Sequence, residues 1–175
     1  MPVKNDIILS SNQLLDALVE GYTNPPLTGL QERVDDIFPD KDIQVSTKYP
    51  EYLLPGDSNF NLKPDKPYIT ISDQTTSPES LFKRDVVPRN EDYLGWVSVY
   101  TLRFDVWGRT PPECKDITDE LEVILKRLGR QLWSQMRIQL DVSGASDVLE
   151  EVTGLPQFYH KFVTVYVKVF RMKEV

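Results

Sequence analysis

The sequence predicts an α+β fold, a mainly antiparallel sheet of long strands with helices packed on one face. The first observation behind this prediction is the alternation of polar and apolar residues from Trp96 to Trp107, which is the period-2 pattern of a strand with one buried side. The second is the helical spacing of apolar residues from Thr110 to Gly129. The third is another alternating stretch, Phe158 to Arg171, which closes the chain. We expect the helix to lay its apolar stripe across the sheet that contains the preceding strand.

The long helix carries clear start and stop signals. Thr110 is a residue type that caps free amide groups, and Pro111 sits where a missing N–H costs nothing. Glu113 occupies the third helical position, as in a capping box. Gly129 is the predicted stop, although the apolar spacing lets the helix resume towards Met136.

The first part of the chain predicts shorter elements. Apolar residues at helical spacing predict one helix that begins near Ser11 and a second that ends at Pro39. Alternation predicts a short strand around Val45 and another over Tyr68–Ser72.

The length favours a single domain over residues 1–175, with long loops over 49–66 and 73–95. The first loop is rich in Pro, Asn and Asp, and the second mixes cations with carboxylates. Irregular stretches longer than about 12–15 residues are uncommon in compact domains and often make a contact. We therefore interpret 73–95 as a docking arm, with a mobile loop as the alternative.

The segment between the long helix and the closing strand predicts one more strand, Ile138–Val142. A turn is expected at Ser143–Gly144, and either a helical turn or a polar loop over Asp147–Val152.

The closing strand is apolar on both faces. One face carries valines and the other carries aromatic residues, namely Val163, Val165, Val167 and Val169 against Phe162, Tyr166 and Phe170. Such a strand is either covered on both faces or meets another protein. At about 3.3 Å per residue it spans roughly 45 Å, which a small domain does not easily cover. We expect an oligomer in which sheets join or stack; the alternative is a central strand covered by helices on one face and by a loop on the other.

Charge and composition argue against several functions. The net charge of −7 repels phosphate, so nucleic-acid binding would need a strong basic patch. Lys126, Arg127 and Arg130 lie close together, but Glu120 and Glu122 precede them. No apolar run reaches the roughly 18 residues of a membrane span, and the first nine residues do not resemble a signal peptide.

Candidate catalytic chemistry is sparse. The single cysteine, Cys114, allows no intramolecular disulfide and no Cys-based zinc site, and we expect it to fill space near the helix start. The single histidine, His160, lies in the closing strand, where a structural or surface role is expected rather than that of a base. Glycine-rich nucleotide loops, nucleophile elbows and paired-histidine metal helices are missing. We expect no enzyme, no cofactor, and no catalytic or metal-binding residues.

The order of elements resembles the tail terminator proteins of long-tailed bacteriophages. The likeness lies in the long strand ending Tyr100–Gly108, the capped helix Thr110–Gly129 and a final strand of the type Phe162–Val169. It covers most of the chain as architecture and pattern, without a signature motif. The loops over 49–66 and 73–95 are longer than in the smallest members.

What the resemblance implies is a ring, of six subunits in most members, that caps the finished tail tube and ends its growth. The ring also presents the surface to which the filled head attaches, and DNA passes through its lumen without specific binding. The expected partners are further copies of the chain, the tail tube protein, neck or head-completion proteins and, in contractile tails, the sheath; no membrane is involved. The expected location is the tail–neck region of the virion, after assembly in the host cytoplasm. Alternatives are a neck, head-completion or connector protein of the same build, and a cytosolic adaptor whose strand edge takes a partner strand.

The expected subunit contacts are aromatic residues and arginines, which protein interfaces favour. The candidates are Phe82, Arg84, Arg89 and Tyr93 in the arm and Phe162, Tyr166 and Phe170 in the closing strand. Reversing the charge of Arg84 and Arg89 together is expected to weaken assembly while the monomer stays folded.

Overall fold

The computed structural model describes residues 11–23, 26–47, 66–74, 87–90, 93–146, 150–152 and 158–174. Its helices are α1 (Ser11–Glu20), α2 (Leu30–Ile37) and α3 (Pro111–Met136). Its strands are β1 (Gly21–Tyr22), β2 (Leu27–Thr28), β3 (Gln44–Ser46), β4 (Tyr68–Asp73), β5 (Val87–Asn90), β6 (Tyr93–Gly108), β7 (Ile138–Ala145), β8 (Glu150–Val152) and β9 (Phe158–Glu174).

The two longest strands form the centre of the sheet. β6 and β9 pair antiparallel along their whole length, from Tyr93 opposite Glu174 to Gly108 opposite Tyr159. β7 and β8 follow each other along the far side of β9, and β4 and β5 do the same along β6. β3 pairs parallel with β4, while β1 and β2 form a separate small ladder. The prediction of an α+β fold with a mainly antiparallel sheet of long strands is confirmed.

The hydrophobic core lies between the helices and one face of this sheet. The four valines of β9 contribute to it, together with Leu102, Phe104 and Val106 of β6. α3 supplies the opposing apolar stripe, whose buried members are Ile117, Leu121, Ile124, Leu125, Leu128 and Leu132. Burying each of these side chains contributes about 1.5–3 kcal/mol, so this layer supplies much of the stability. α1 and α2 join the same core through Leu14, Leu18, Leu30 and Val34.

α3 begins where the sequence predicts but continues past the predicted stop. The Thr110 hydroxyl accepts a hydrogen bond from the Glu113 N–H at 3.3 Å, and the Glu113 carboxylate accepts one from the Arg109 N–H at 2.8 Å. The stop at Gly129 is wrong. A Cβ on Gly129 would lie 3.3 Å from the Leu140 carbonyl oxygen, so this glycine permits a close approach of α3 to β7. The helix ends at Met136, followed by Arg137 in the left-handed conformation.

The second predicted loop contains regular structure, so that part of the prediction is wrong. Asp73 still belongs to β4, Val87–Asn90 form β5, and β6 starts at Tyr93, three residues before the predicted start of the strand. β5 forms because it pairs with β6, and its local composition does not predict this pairing. The rest of the arm, 75–86 and 91–92, lies outside the described residues, as does most of the loop over 49–66.

The segment after α3 also differs from its prediction. Ser143–Gly144 is a bulge within β7 rather than a turn, since the register to β9 shifts between Val142 and Gly144. Gly144 has a φ of 125°, a conformation that glycine adopts freely. Glu150–Val152 are strand β8 rather than a helical turn or polar loop, because they continue the ladder along β9.

Candidate subunit interface on the back face of the sheet

The face of the sheet turned away from the helices is the candidate functional surface, and we call it the back face. Side chains alternate between the two faces along each strand. The core residues of β6 and β9 therefore fix which of their neighbours point to the back face. The back-face residues are Tyr68, Thr70 and Ser72 on β4, Thr101, Arg103, Asp105 and Trp107 on β6, and Phe158, His160, Phe162, Thr164, Tyr166 and Lys168 on β9.

A buried polar cluster lies at one end of the back face. Asp105 and His160 are only 1% and 3% exposed. Asp105 Oδ1 lies 2.5 Å from His160 Nε2 and also accepts a hydrogen bond from Arg103 Nε at 2.9 Å. The guanidinium of Arg103 supplies the positive charge that a buried carboxylate requires. Asp105 Oδ2 is buried and has no hydrogen-bond partner among the residues described.

Trp107 holds the imidazole in place from the side. Its ring stacks on His160 with 4.3 Å between the ring centroids. Its indole N–H donates to the Thr70 hydroxyl at 3.1 Å, as a buried indole nitrogen requires. The cluster therefore links β4, β6 and β9 through side chains as well as through the backbone ladder.

Aromatic rings surround this cluster and become more exposed along β9. Phe158 is buried, with the Arg109 guanidinium 4.8 Å from its ring centroid. Phe162 is half-buried under the Arg103 guanidinium, at 4.0 Å from its ring centroid. Tyr166 is 43% exposed, although it belongs to a central strand. The back face thus changes from buried to exposed from Phe158 towards Tyr166.

The burial of the two faces of the closing strand agrees in part with each of its two interpretations. β9 is a central strand covered by helices on its valine face, as the alternative required. On its other face, among the residues that the structure describes, Tyr166 is exposed and Phe162 is half-exposed. An exposed aromatic side chain on a central strand is the feature that the oligomer hypothesis needs.

The predicted interface residues fall into two groups. Phe162 and Tyr166 share the back face of β9, and Phe170 lies further along the same strand, paired with Val97. Arg89 and Tyr93 lie in the hairpin of β5 and β6, and Tyr93 pairs with Glu174 at the far end of β9. The remaining candidates, Phe82 and Arg84, lie outside the described residues.

The sequence does not predict the cluster around Asp105. The available signal was the alternation of β6, which places Arg103, Asp105 and Trp107 on the side opposite the apolar core residues. The alternation does not reveal the register between β6 and β9, which brings His160 next to Asp105 and Trp107. The structural role expected for His160 agrees with its burial, and a surface position does not.

Cys114 lies on the opposite side of the sheet from this cluster. Its thiol is buried at the start of α3, and its Sγ lies 3.7 Å from the Val106 carbonyl oxygen. Burial raises the pKa of the Cys114 thiol. This effect is larger than the opposite effect of the nearby hydrogen bonds and of Lys161, which lower the pKa. The predicted space-filling role is confirmed. Within the described ranges, no group of three or more His, Cys, Asp or Glu residues is arranged to hold a metal ion.

No protein-family model matches the chain, and no curated protein matches it. Among the helices described above, none combines the length and the apolar character that crossing a membrane requires.

Proposed function

We propose that this protein is a structural subunit of a bacteriophage tail, which forms a ring at the end of the tail tube and stops its growth. The resemblance to tail terminators supports this function, with six copies as the expected number. In this proposal the back face of the sheet packs against a neighbouring subunit of the assembled tail. The protein then acts through surface complementarity rather than through catalysis.

The observation that carries the proposal is the exposure of Tyr166 on the central strand of the sheet. The back face of β9 carries a tyrosine that is 43% exposed and, four residues before it, a half-buried phenylalanine with an arginine over its ring, and these residue types are enriched at interface centres. Burial of such residues on assembly releases water from apolar surface, which drives association.

The length of the two central strands and the side-chain contacts between them support the same role. β6 and β9 have 16 and 17 residues and pair along their full length, giving a continuous platform of roughly 50 Å. The cluster of Asp105, His160 and Trp107 adds side-chain links between the strands. A ring closes only when the rotation between neighbours is reproducible, and a stiff platform favours this.

The charge of the chain is compatible with a lumen for DNA. With a net charge of −7, the surface does not attract phosphate groups over long distances. DNA is then able to pass through a ring of such subunits without being held.

The experiment that tests this function compares tails assembled with and without the protein. Electron microscopy is expected to show tubes of uncontrolled length, and few tails joined to heads, when the protein is absent. Wild-type protein supplied separately restores uniform tails, whereas Tyr166→Glu restores them poorly. Gln44→Glu adds the same charge at an exposed strand position on β3 and is the matched control.

The same experiment separates the alternatives. A neck or head-completion protein would leave tube length uniform and affect only the joining of heads. An adaptor would leave both unchanged. The bulge at Gly144 argues against strand addition at β7, since bulges disrupt the pairing of a sheet edge. Uniform, head-joined tails in the absence of the protein would refute the proposed function.

A further inference from the structure

The exposed side of α3 is divided into an acidic half and a basic half. The acidic half carries Asp116, Asp119, Glu120 and Glu122, and the basic half carries Lys126, Arg127 and Arg130, with Arg137 directly after the end of the helix. No Asp or Glu occurs between Val123 and Leu140. Positions three and four residues apart share one side of a helix, so both halves lie along the same exposed side.

Among the described residues, no ion pair joins a charge of either half to another side chain. The ion pairs that the structure describes join Lys41 to Glu113, Lys66 to Asp42, and Asp105 to Arg103 and His160. None of the described ion pairs involves a residue of either half. Lys126, Arg127 and Arg130 are all exposed.

Two large apolar side chains accompany the charges. Val123, where the two halves meet, is 41% exposed, and Trp133 in the basic half is 44% exposed. The Arg137 guanidinium lies 5.4 Å from the Trp133 ring centroid. Exposed tryptophan and arginine together are the residue types that dominate binding energy at protein interfaces.

The helix dipole does not explain this division. Its effect falls off within the first and last turn, whereas α3 has 26 residues and is about 39 Å long. The change of sign falls near Val123, about three turns from either end. The dipole favours Arg137 at the end of the helix but has little influence on Lys126 or Glu122.

A nucleic acid fits this surface poorly. An extended polyanion that follows the helix would reach from Arg130 to Asp119 within about 16 Å and meet the acidic half. The chain as a whole also repels phosphate, at a net charge of −7. The surface that matches both halves at once is one with the same division of charge, which is α3 itself.

We propose that α3 packs against α3 of a second copy of the chain in antiparallel orientation, so that the basic half of each helix faces the acidic half of the other. Four cations then face four carboxylates, and Trp133 and Val123 supply the apolar part of the contact. Complementary charge of this kind steers association and fixes which surfaces meet. This contact is two-fold and joins two copies, whereas a ring needs a head-to-tail contact between different surfaces, so the inference goes beyond the proposed function. The back face, on the other side of the sheet, is then left for the contacts within the assembled tail.

The test uses two charge-reversed variants and sedimentation velocity at low and moderate salt. Arg127→Glu with Arg130→Glu makes the basic half acidic, and Asp116→Lys with Asp119→Lys makes the acidic half basic. Each variant alone is expected to self-associate about tenfold or more weakly than the wild type. An equimolar mixture is expected to regain association, because each variant then offers the surface that the other lacks. Lys115→Glu, an exposed substitution on the same helix outside the basic half, is expected to associate at least as well as the wild type.

Several outcomes would overturn the inference. They are a wild-type chain that stays monomeric, variants that associate normally, and a mixture that does not recover association. Binding of duplex DNA that is lost in the Arg127 and Arg130 variant, with self-association unchanged, would assign the basic half to nucleic acid instead. Circular dichroism confirms that the variants are folded.

The tail-length experiment keeps this inference separate from the proposed function. If both charge-reversed variants lose self-association and still cap tails normally, the α3 contact is supported as a pairing of two copies that capping does not require, and the function stands. If tails never require the protein, the function is refuted, while recovery of association in the mixture would still establish the α3 contact.

Discussion

His160 Nε2 lies 2.5 Å from Asp105 Oδ1, which joins the two longest strands of the sheet through their side chains. In the ladder Asp105 lies opposite Phe162, and His160 lies opposite Trp107, so the contact runs diagonally across the strand pair. A shift of register by one residue would turn every side chain of one strand to the other face. The pair therefore favours one register of β6 on β9.

Removal of the carboxylate is expected to destabilise the protein strongly. Asp105→Ala leaves the buried imidazole and the Arg103 guanidinium without their shared partner, at a cost of about 3–5 kcal/mol in the free energy of unfolding. Urea denaturation measures this cost. Asp36→Ala, at an exposed position of α2 outside both proposed contact surfaces, is the control and is expected to change stability by less than about 0.5 kcal/mol. A cost below about 1 kcal/mol for Asp105→Ala would show that the cluster is not a structural link.

Two glycine-to-alanine substitutions test the close approaches around α3. A Cβ on Gly108 would lie 2.7–2.8 Å from the Cβ, Cα and N atoms of Cys114, so Gly108→Ala is expected to cost about 2–3 kcal/mol. A Cβ on Gly129 meets only the Leu140 carbonyl within 3.4 Å, and alanine favours the helix by about 1 kcal/mol. Gly129→Ala is therefore expected to stay within about 1 kcal/mol of the wild type. Equal costs in urea denaturation would contradict this account.

The buried thiol of Cys114 predicts a loss of stability at alkaline pH. Because burial raises its pKa, the folded protein keeps the thiol proton after the unfolded chain has released it. The stabilisation is fully present below the unfolded pKa of about 8.5 and is lost as the pH rises through the folded pKa. The slope from this group reaches at most about 1.4 kcal/mol per pH unit.

Comparison with Cys114→Ala isolates this effect from that of other groups. Chemical denaturation between pH 7 and pH 10 (about 1.5 units either side of the unfolded thiol pKa) is expected to give a steeper fall for the wild type than for the variant. Thiol reagents are expected to modify the folded wild type far more slowly than the unfolded chain. Identical pH slopes, or rapid modification of the folded protein, would show that the thiol is accessible.

The cap of α3 predicts a smaller effect. Thr110→Ala removes the hydroxyl that accepts from the Glu113 N–H and is expected to cost about 1 kcal/mol. Thr110→Ser keeps an acceptor and is expected to cost less than half as much. Thermal or urea denaturation of the two variants provides the comparison, and equal costs would exclude the hydroxyl as the cap.

The elements that the sequence predicts well are those with a long local pattern. β6, α3 and β9 each repeat an apolar period over many residues, and the cap at Thr110 is a local signal. β5 and β8 carry no such pattern, because each exists through pairing with a distant strand. Gly129 does not end α3, because it permits the close approach to Leu140 of the following strand, a contact that local sequence does not show.

In the candidate site, too, the sequence predicts the residues that a local pattern places and misses those that depend on long-range pairing. The aromatic residues Phe162 and Tyr166 follow from alternation within β9 alone. The cluster of Asp105, His160 and Trp107 needs the register between β6 and β9, which is a tertiary property. The two halves of α3 are visible in the sequence, but the exposure of Lys126, Arg127 and Arg130, and the absence of either half from the described ion pairs, are seen only in the fold.

The most direct test of the proposed function is cryo-electron microscopy of finished tails. It is expected to show a closed ring of this protein at the head-proximal end of the tube, with Tyr166 and Phe162 buried against a neighbouring subunit. Finished tails that lack the protein, or a ring in which Tyr166 faces solvent, would contradict the account.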